Sequence, residues 1–318
     1  MNDDTYEKEI LVTIASYIDP LLMQTLMSAM GNADNPYRIR FAIVDQNEYT
    51  LRYELEKLSF INQIAYVFMP ITDSRGVCFA RALTQSLLGT EDYVLQIDSH
   101  TIFDKGWDTS LIMQYDELAS DGSSPILTAY PHVFKMENGL AVKSPHEDGK
   151  TLTFMVDDST TITEDDMTLK FTPVYTDTDK ALKSIHIAGG FIFSSRQFIL
   201  DIPYDPYMYF SGEEQSLALR AYTHGYDLYN PHNIPLYHLY KKANVSHMEH
   251  HWNEVHESKR TIKWTTLNSI SLSRLKMLIT GDCRLGIAYR LGSIRTISEF
   301  AKDTGIDYTN RTITRPIP

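Results

Sequence analysis

From Glu9 to Asp98 the chain alternates short apolar runs with segments of helical spacing, and this alternation restricts the fold more than any other feature. Residues 9–17 (EILVTIASY), 37–45 (YRIRFAIVD), 63–69 (QIAYVFM) and 93–98 (YVLQID) read as strands. Between them, residues 20–30 and 76–88 repeat apolar side chains at helical spacing, with Val77, Ala80, Leu83, Leu87 and Leu88 on one side of the second. This order predicts an α/β fold in which a mostly parallel sheet carries helices on its faces. Such sheets bind ligands beyond the carboxyl ends of their strands, where Asp45 and Asp98 stand.

Asp98 is followed by Ser99 and His100. A carboxylate and an imidazole two residues apart on an extended chain face the same side, so the pair could share one divalent cation. The plainer alternative is that Asp98 begins a turn and His100 is a surface residue.

Composition limits the setting. A chain of 318 residues, 43% hydrophobic and 22% charged, suits one large globular α/β domain or a domain with an extension. Two cysteines make no disulfide framework and point to a reducing compartment. The first ten residues, MNDDTYEKEI, are acidic and polar where a secretion signal is basic and then apolar. No run approaches the roughly 20 apolar residues of a membrane span. A soluble, cytoplasmic protein with no membrane partner is therefore expected. The net charge of −12 hides an asymmetry: residues 259–318 hold 11 Lys and Arg against 4 Asp and Glu, a balance of +7, and residues 1–258 hold 18 against 37, a balance of −19. This divides the chain into a body, 1–258, and a basic, largely helical extension, 259–318. The extension's charge can face a polyanion, a nucleotide diphosphate or the body itself.

Later segments add candidates. Residues 136–185 are polar and irregular, as expected of an inserted hairpin or loop region over the sheet, covering a site or merely crossing the surface. In AGGFIFSS, Gly189 and Gly190 permit close approach of a ligand or a neighbouring chain. FSGEEQSLALRAY reads as a helix opening with Glu213 and Glu214, where the helix dipole alone would favour them. His238 ends the apolar run IPLYHLY, as a ligand or as a hydrogen-bonded core residue. His247, His250, His251 and His256 form a rival metal source, with His247 and His251 four apart on one face if residues 247–259 (HMEHHWNEVHESK) are helical.

SRGVCFARALTQSLLGTEDYVLQIDSH, followed by AGGFIFSS, FSGEEQSLALRAYTHGYDLYNP and YHLY, resembles the ordered motifs of polypeptide N-acetylgalactosaminyltransferases. With ASYIDP and YRLGSIRTISEFAKDTGIDY added, the chain resembles more closely the cytoplasmic-type polypeptide α-N-acetylglucosaminyltransferases that modify hydroxyproline. The resemblance implies a GT-A fold, a nucleotide-sugar donor (a UDP-sugar) and Mn²⁺ or Mg²⁺. It implies that Asp98, His100 and His238 bind the metal, and that Ala15, Tyr17, Asp45, Arg75, Gly189 and Gly190 lie along the donor. Arg81 would brace the metal-binding strand end or the donor, and Glu213 and Glu214 would orient the acceptor. Transfer would retain configuration. The acceptor is a protein or other hydroxyl or, alternatively, a hydroxylated base in DNA, with the basic extension on the phosphate backbone and Trp264, Tyr289 and Phe300 stacking. A paired-carboxylate hydrolase would leave the histidines unexplained, and a non-catalytic sugar-nucleotide-binding protein would leave the metal set without a purpose.

Overall fold

The computed structural model describes residues 8–240 and 250–314. Its first half follows the alternation. Strands β1 (Ile10–Tyr17), β2 (Ile39–Asn47), β3 (Ile64–Pro70) and β4 (Tyr93–Asp98) lie in the order β4-β1-β2-β3, all paired parallel. Helices α1 (Leu22–Asn32), the short α2 (Arg52–Leu55) and α3 (Val77–Gln85) connect them. β1 is apolar almost throughout because both its faces are covered. Ile10, Val12 and Ile14 pack with Leu22 and Leu26 of α1, while Leu11 joins Val94 and Ile192 on the opposite face.

Beyond β4 the chain leaves this sheet and returns. A short β5 (Thr101–Phe103) leads to α4 (Trp107–Ala119), which the spacing analysis did not anticipate, and to β6 (Pro125–Thr128). The 136–185 region forms two hairpins, β7 (His132–Glu137) with β8 (Leu140–Lys143) and β9 (Thr151–Val156) with β10 (Phe171–Thr176). After β11 (Leu182–Lys183), β12 (Phe191–Ser195) slots between β4 and β6, antiparallel to both. Helices α5 (Arg196–Asp201) and α6 (Glu213–Thr223) precede β13 (Asp227–Asn230), which completes an eight-stranded sheet in the order β11-β13-β6-β12-β4-β1-β2-β3. The piece expected at 226–240 splits: β14 (Leu236–His238) joins a second sheet, β5-β14-β7-β8.

The remaining helices are α7 (Glu254–Glu257), α8 (Trp264–Thr280) and α9 (Ile297–Thr304), followed by the small pair β15 (Ile306–Asp307) and β16 (Thr312–Ile313). Leu275, Leu278, Leu285, Phe300 and Tyr308 belong to the same buried cluster as Leu11, Ile126 and Leu217. Phe300 is only 2% exposed, so it is a core residue and not a stacking platform. Much of the segment's positive charge meets the body: Arg274 pairs with Asp205 at 2.6 Å, Arg295 with Asp227 at 3.0 Å, and Lys259 with Glu48 at 3.2 Å. Among the described residues, no helix is long and apolar enough to cross a membrane.

Because Phe300 packs in the core shared with the sheet, Phe300→Ala should cost about 3–5 kcal/mol. Guanidinium unfolding should show one transition displaced as a whole. A separate early transition for the C-terminal segment would mean that it folds on its own.

Candidate functional site

The site forms where the two sheets meet. Asp98 is the last residue of β4, and the chain bends at Ser99 and His100 before entering β5. The two side chains converge through this bend and not along an extended strand. Antiparallel pairing of β14 with β5 sets His238 opposite Thr101, which carries it to Asp98 from 140 residues away. Ligating atoms of Asp98, His100 and His238 all lie within 4.8 Å of one another, with His238 Nε2 3.0 Å from Asp98 Oδ2.

These groups are set for a cation. Asp19 Oδ2 lies 2.6 Å from His100 Nδ1 and also accepts the Ser99 hydroxyl at 2.6 Å. Burial alone would raise the Asp19 pKa, but His100, the Ser99 hydroxyl and the Leu21 N–H together outweigh it and keep the group a carboxylate. It therefore faces Nδ1 of His100 and leaves Nε2 toward Asp98 and His238. Burial lowers the His238 pKa, holding that imidazole neutral. Burial would likewise raise Asp98, yet the His238 hydrogen bond and the Arg81 guanidinium hold it well below the carboxylate range. One carboxylate oxygen and two imidazole nitrogens, one ring with a carboxylate behind it, fit Mn²⁺ or a similar divalent ion with coordination positions left over.

Arg81, from α3, ties this group to α6. Its Nη2 donates to Asp98 Oδ1 at 2.8 Å, and its Nη1 donates to Glu213 Oε1. The hydroxyl of Tyr204 also donates to Glu213, at 2.7 Å. Gly212, with φ of 85°, starts α6 in a left-handed conformation that favours glycine and sets Glu213 and Glu214 in its first turn. The two carboxylates then diverge. The Glu213 side chain is 4% exposed and committed to Arg81 and Tyr204, whereas that of Glu214 is 37% exposed. Glu214 Oε1 accepts the Gly189 N–H at 2.7 Å, and Oε2 lies 3.2 Å from His186 Nε2. Space is tight at both glycines: a Cβ on Gly189 would stand 2.5 Å from Arg81 Nη1, which would have to move, and one on Gly190 would stand 3.0 Å from Asp98 Oδ2.

A cleft with two lobes opens over the triad, with Val77, Asp98, Phe210 and His238 common to both. The lobe of about 320 Å³ is reached by Ala15, Tyr17, Gln46, Tyr209 and Trp252, and the lobe of about 210 Å³ by Arg81, Tyr130, Gly189, Gly190, Glu214 and Tyr240. Two candidates stand apart. Asp45 is fully buried beneath the larger lobe, accepting the Tyr66 hydroxyl at 2.9 Å, and burial pushes its pKa up. Its neighbour Gln46 faces the cleft instead, because successive strand residues point to opposite sides. Arg75 is exposed over the Phe79 ring and lines a separate depression. The rival histidine pair is divided: His247 lies outside the described residues, and His251 precedes α7 with its ring nitrogens engaged by Tyr209 and Ser74, each at 2.8 Å. Burial, with Arg260 alongside, lowers the His251 pKa to about 3. Among the described residues, Asp98, His100 and His238 are the one group suited to a metal.

Sequence reasoning passed over Asp19, Gln46 and His186. Asp19 had a usable signal, since it follows the carboxyl end of β1 as Ser99 and His100 follow that of β4. The others reach the site through tertiary packing alone.

The profile of a protein family described as Glycosyltransferase (GlcNAc) matches residues 52–310. Among curated proteins no sequence matches the chain. The fold is similar to that of GalNAc-T7, solved with UDP, GalNAc and Mn²⁺, at 15% identity and a TM-score of 0.62, covering 93% of this chain and 54% of that one. Staphylococcus aureus TarS 1-349 in complex with UDP-GlcNAc gives a TM-score of 0.48 at 17% identity, covering 74% of this chain and 60% of that one. The Pyrobaculum calidifontis mannosyltransferase PcManGT, solved with GDP-Man and Mn²⁺, gives 0.49 at 12% identity, covering 77% and 60%. The chain thus spans little more than half the length of these proteins, and the likeness identifies a GT-A α/β fold.

Titration with Mn²⁺, followed by calorimetry with and without a nucleoside diphosphate, should show one site. His100→Ala or His238→Ala should remove it, and Asp19→Asn should weaken it about 10- to 100-fold. Equal affinity in wild type and His100→Ala would place the ion elsewhere.

Proposed function

This chain belongs to the GlcNAc glycosyltransferase family, and we propose that it moves a sugar from a nucleotide diphosphate donor, a UDP-sugar, to a hydroxyl acceptor in a metal-dependent reaction. The observation that carries this reading is the Asp98, His100 and His238 group at the floor of a cleft with a lobe on either side. The larger lobe has the aromatic side chains of Tyr17, Tyr209 and Trp252 to receive a nucleoside. The smaller lobe, with Glu214 and Arg81, receives the sugar and the acceptor. The presence of UDP and Mn²⁺ in GalNAc-T7, whose fold is shared, supports the same choice of donor and ion.

A bound divalent ion supplies charge neutralisation for the departing diphosphate. The protein does the positioning. Asp98, held by Arg81, and His100, held by Asp19, keep their donor atoms in place before any ligand arrives, so little reorganisation is needed. Glu214 stands open to the smaller lobe and orients the acceptor hydroxyl. We assign retention of configuration. The bond from the anomeric carbon to the phosphate oxygen breaks, the acceptor oxygen bonds on the same face, and its proton passes to the leaving phosphate. No protein base is needed in this scheme.

For the acceptor, a protein or peptide hydroxyl such as Ser, Thr or hydroxyproline is the first reading. The pairing of Arg274 and Arg295 with Asp205 and Asp227 supports it, since those cations are committed to carboxylates of the body.

The test is hydrolysis and transfer with a panel of UDP-sugars and Mn²⁺, run against a Ser/Thr/hydroxyproline peptide pool and a hydroxylated-base duplex. Glycosylated peptide is expected, with activity lost in EDTA and reduced about 100-fold in His100→Ala. Product on the duplex alone would make the protein a DNA-modifying enzyme. No turnover by folded, metal-loaded protein would leave a sugar-nucleotide-binding protein.

A further inference from the structure

We propose that His186 is a positioning residue for Glu214, and that the β9–β10 hairpin serves to hold it. The inference rests on the transferase reading above and assigns a task within it to the inserted hairpin. That hairpin does not roof the cleft, whose described lining comes from other segments. It packs behind the smaller lobe. Phe171 of β10 stacks on the His186 ring at 3.7 Å between centroids and 13° between planes, and Phe154 of β9 meets the same ring edge-on at 5.2 Å. Phe154 also packs edge-on against Tyr130, a residue of the lobe, at 4.9 Å. The His186 side chain is 1% exposed.

Simple packing does not account for an imidazole in this cage. Its Nε2 reaches Glu214 Oε2, while Nδ1 is buried with no hydrogen-bond partner among the described residues. Leaving a buried polar atom unsatisfied is unfavourable, and an apolar ring would fill the space without that cost. What the imidazole adds is the contact with Glu214. Together with the Gly189 N–H it fixes both oxygens of the carboxylate that opens to the acceptor lobe. Burial would raise the Glu214 pKa, but His186 and the Gly189 N–H outweigh it and keep the group ionised below the usual range. The other charged groups beside it, Arg81 and Glu213, pair with each other.

The test compares wild type, His186→Phe and His186→Gln, using UDP-N-acetylglucosamine, Mn²⁺ and the peptide pool. His186→Phe keeps the aromatic packing and removes the donor. It should melt no lower than wild type and bind donor and Mn²⁺ unchanged, while kcat for peptide transfer falls about 10- to 100-fold. The acid limb of its pH profile should move to higher pH, because Glu214 loses the His186 contact that lowers its pKa. His186→Gln, which retains an N–H donor, should recover part of the rate. Unchanged transfer in His186→Phe, or a matched fall in melting temperature, donor binding and transfer, would overturn the inference. If wild type turns over no donor, the transferase reading fails separately. The imidazole ¹⁵N spectrum then decides the pairing: a His186 signal that shifts in Glu214→Gln supports it, and one that does not move refutes it.

Discussion

The guanidinium of Arg81 is the point on which the site is built. It is buried, and a buried cation is tolerated only when anions and hydrogen bonds replace the water it has lost. Asp98 and Glu213 supply them, and α3, β4 and α6 are brought together as a consequence. The requirement spreads outward. It fixes Asp98 with Oδ1 toward Arg81 and Oδ2 toward His238, which leaves the carboxylate aimed at the triad. It leaves little room for a side chain at Gly189, where Arg81 already occupies the space.

The same interaction separates two carboxylates that are neighbours in the chain. Glu213 neutralises Arg81 from within and is further held by Tyr204, which in turn receives a hydrogen bond from Gln96 of β4. Glu214 is left free of that network and takes its partners from His186 and Gly189. A dipeptide at the start of one helix therefore does two jobs, one structural and one facing the cleft, because adjacent residues in a first turn point in different directions. Asp19 plays for His100 the part that Arg81 plays for Asp98, so each triad member from the β4 edge arrives with a charged partner behind it.

The asymmetric charge acquires a local meaning. A body at −19 and an extension at +7 attract each other, and Arg274, Arg295 and Lys259 show where that attraction is spent. An exposed pair such as Lys259 with Glu48 contributes little. The larger share of the adhesion comes from Leu275, Leu278, Leu285 and Phe300 in the common core.

The alternation of apolar runs in the first hundred residues determined the parallel block, its connecting helices and the placement of Asp98 at a carboxyl edge, because periodicity and strand direction are local properties. Local chemistry also marked the glycine pair, the acidic helix start and the Asp-Ser-His segment. Other features belonged to the tertiary structure. β12 entering against the parallel strands, His238 crossing to a second sheet, and Glu213 turning inward while Glu214 opens outward all depend on pairings between residues far apart in sequence. The burial of Asp45 away from the cleft beside a cleft-lining Gln46 shows the limit sharply: sequence located the strand end, but a shift of one residue decides the face, and only packing on both sides of the sheet sets which face meets the cleft.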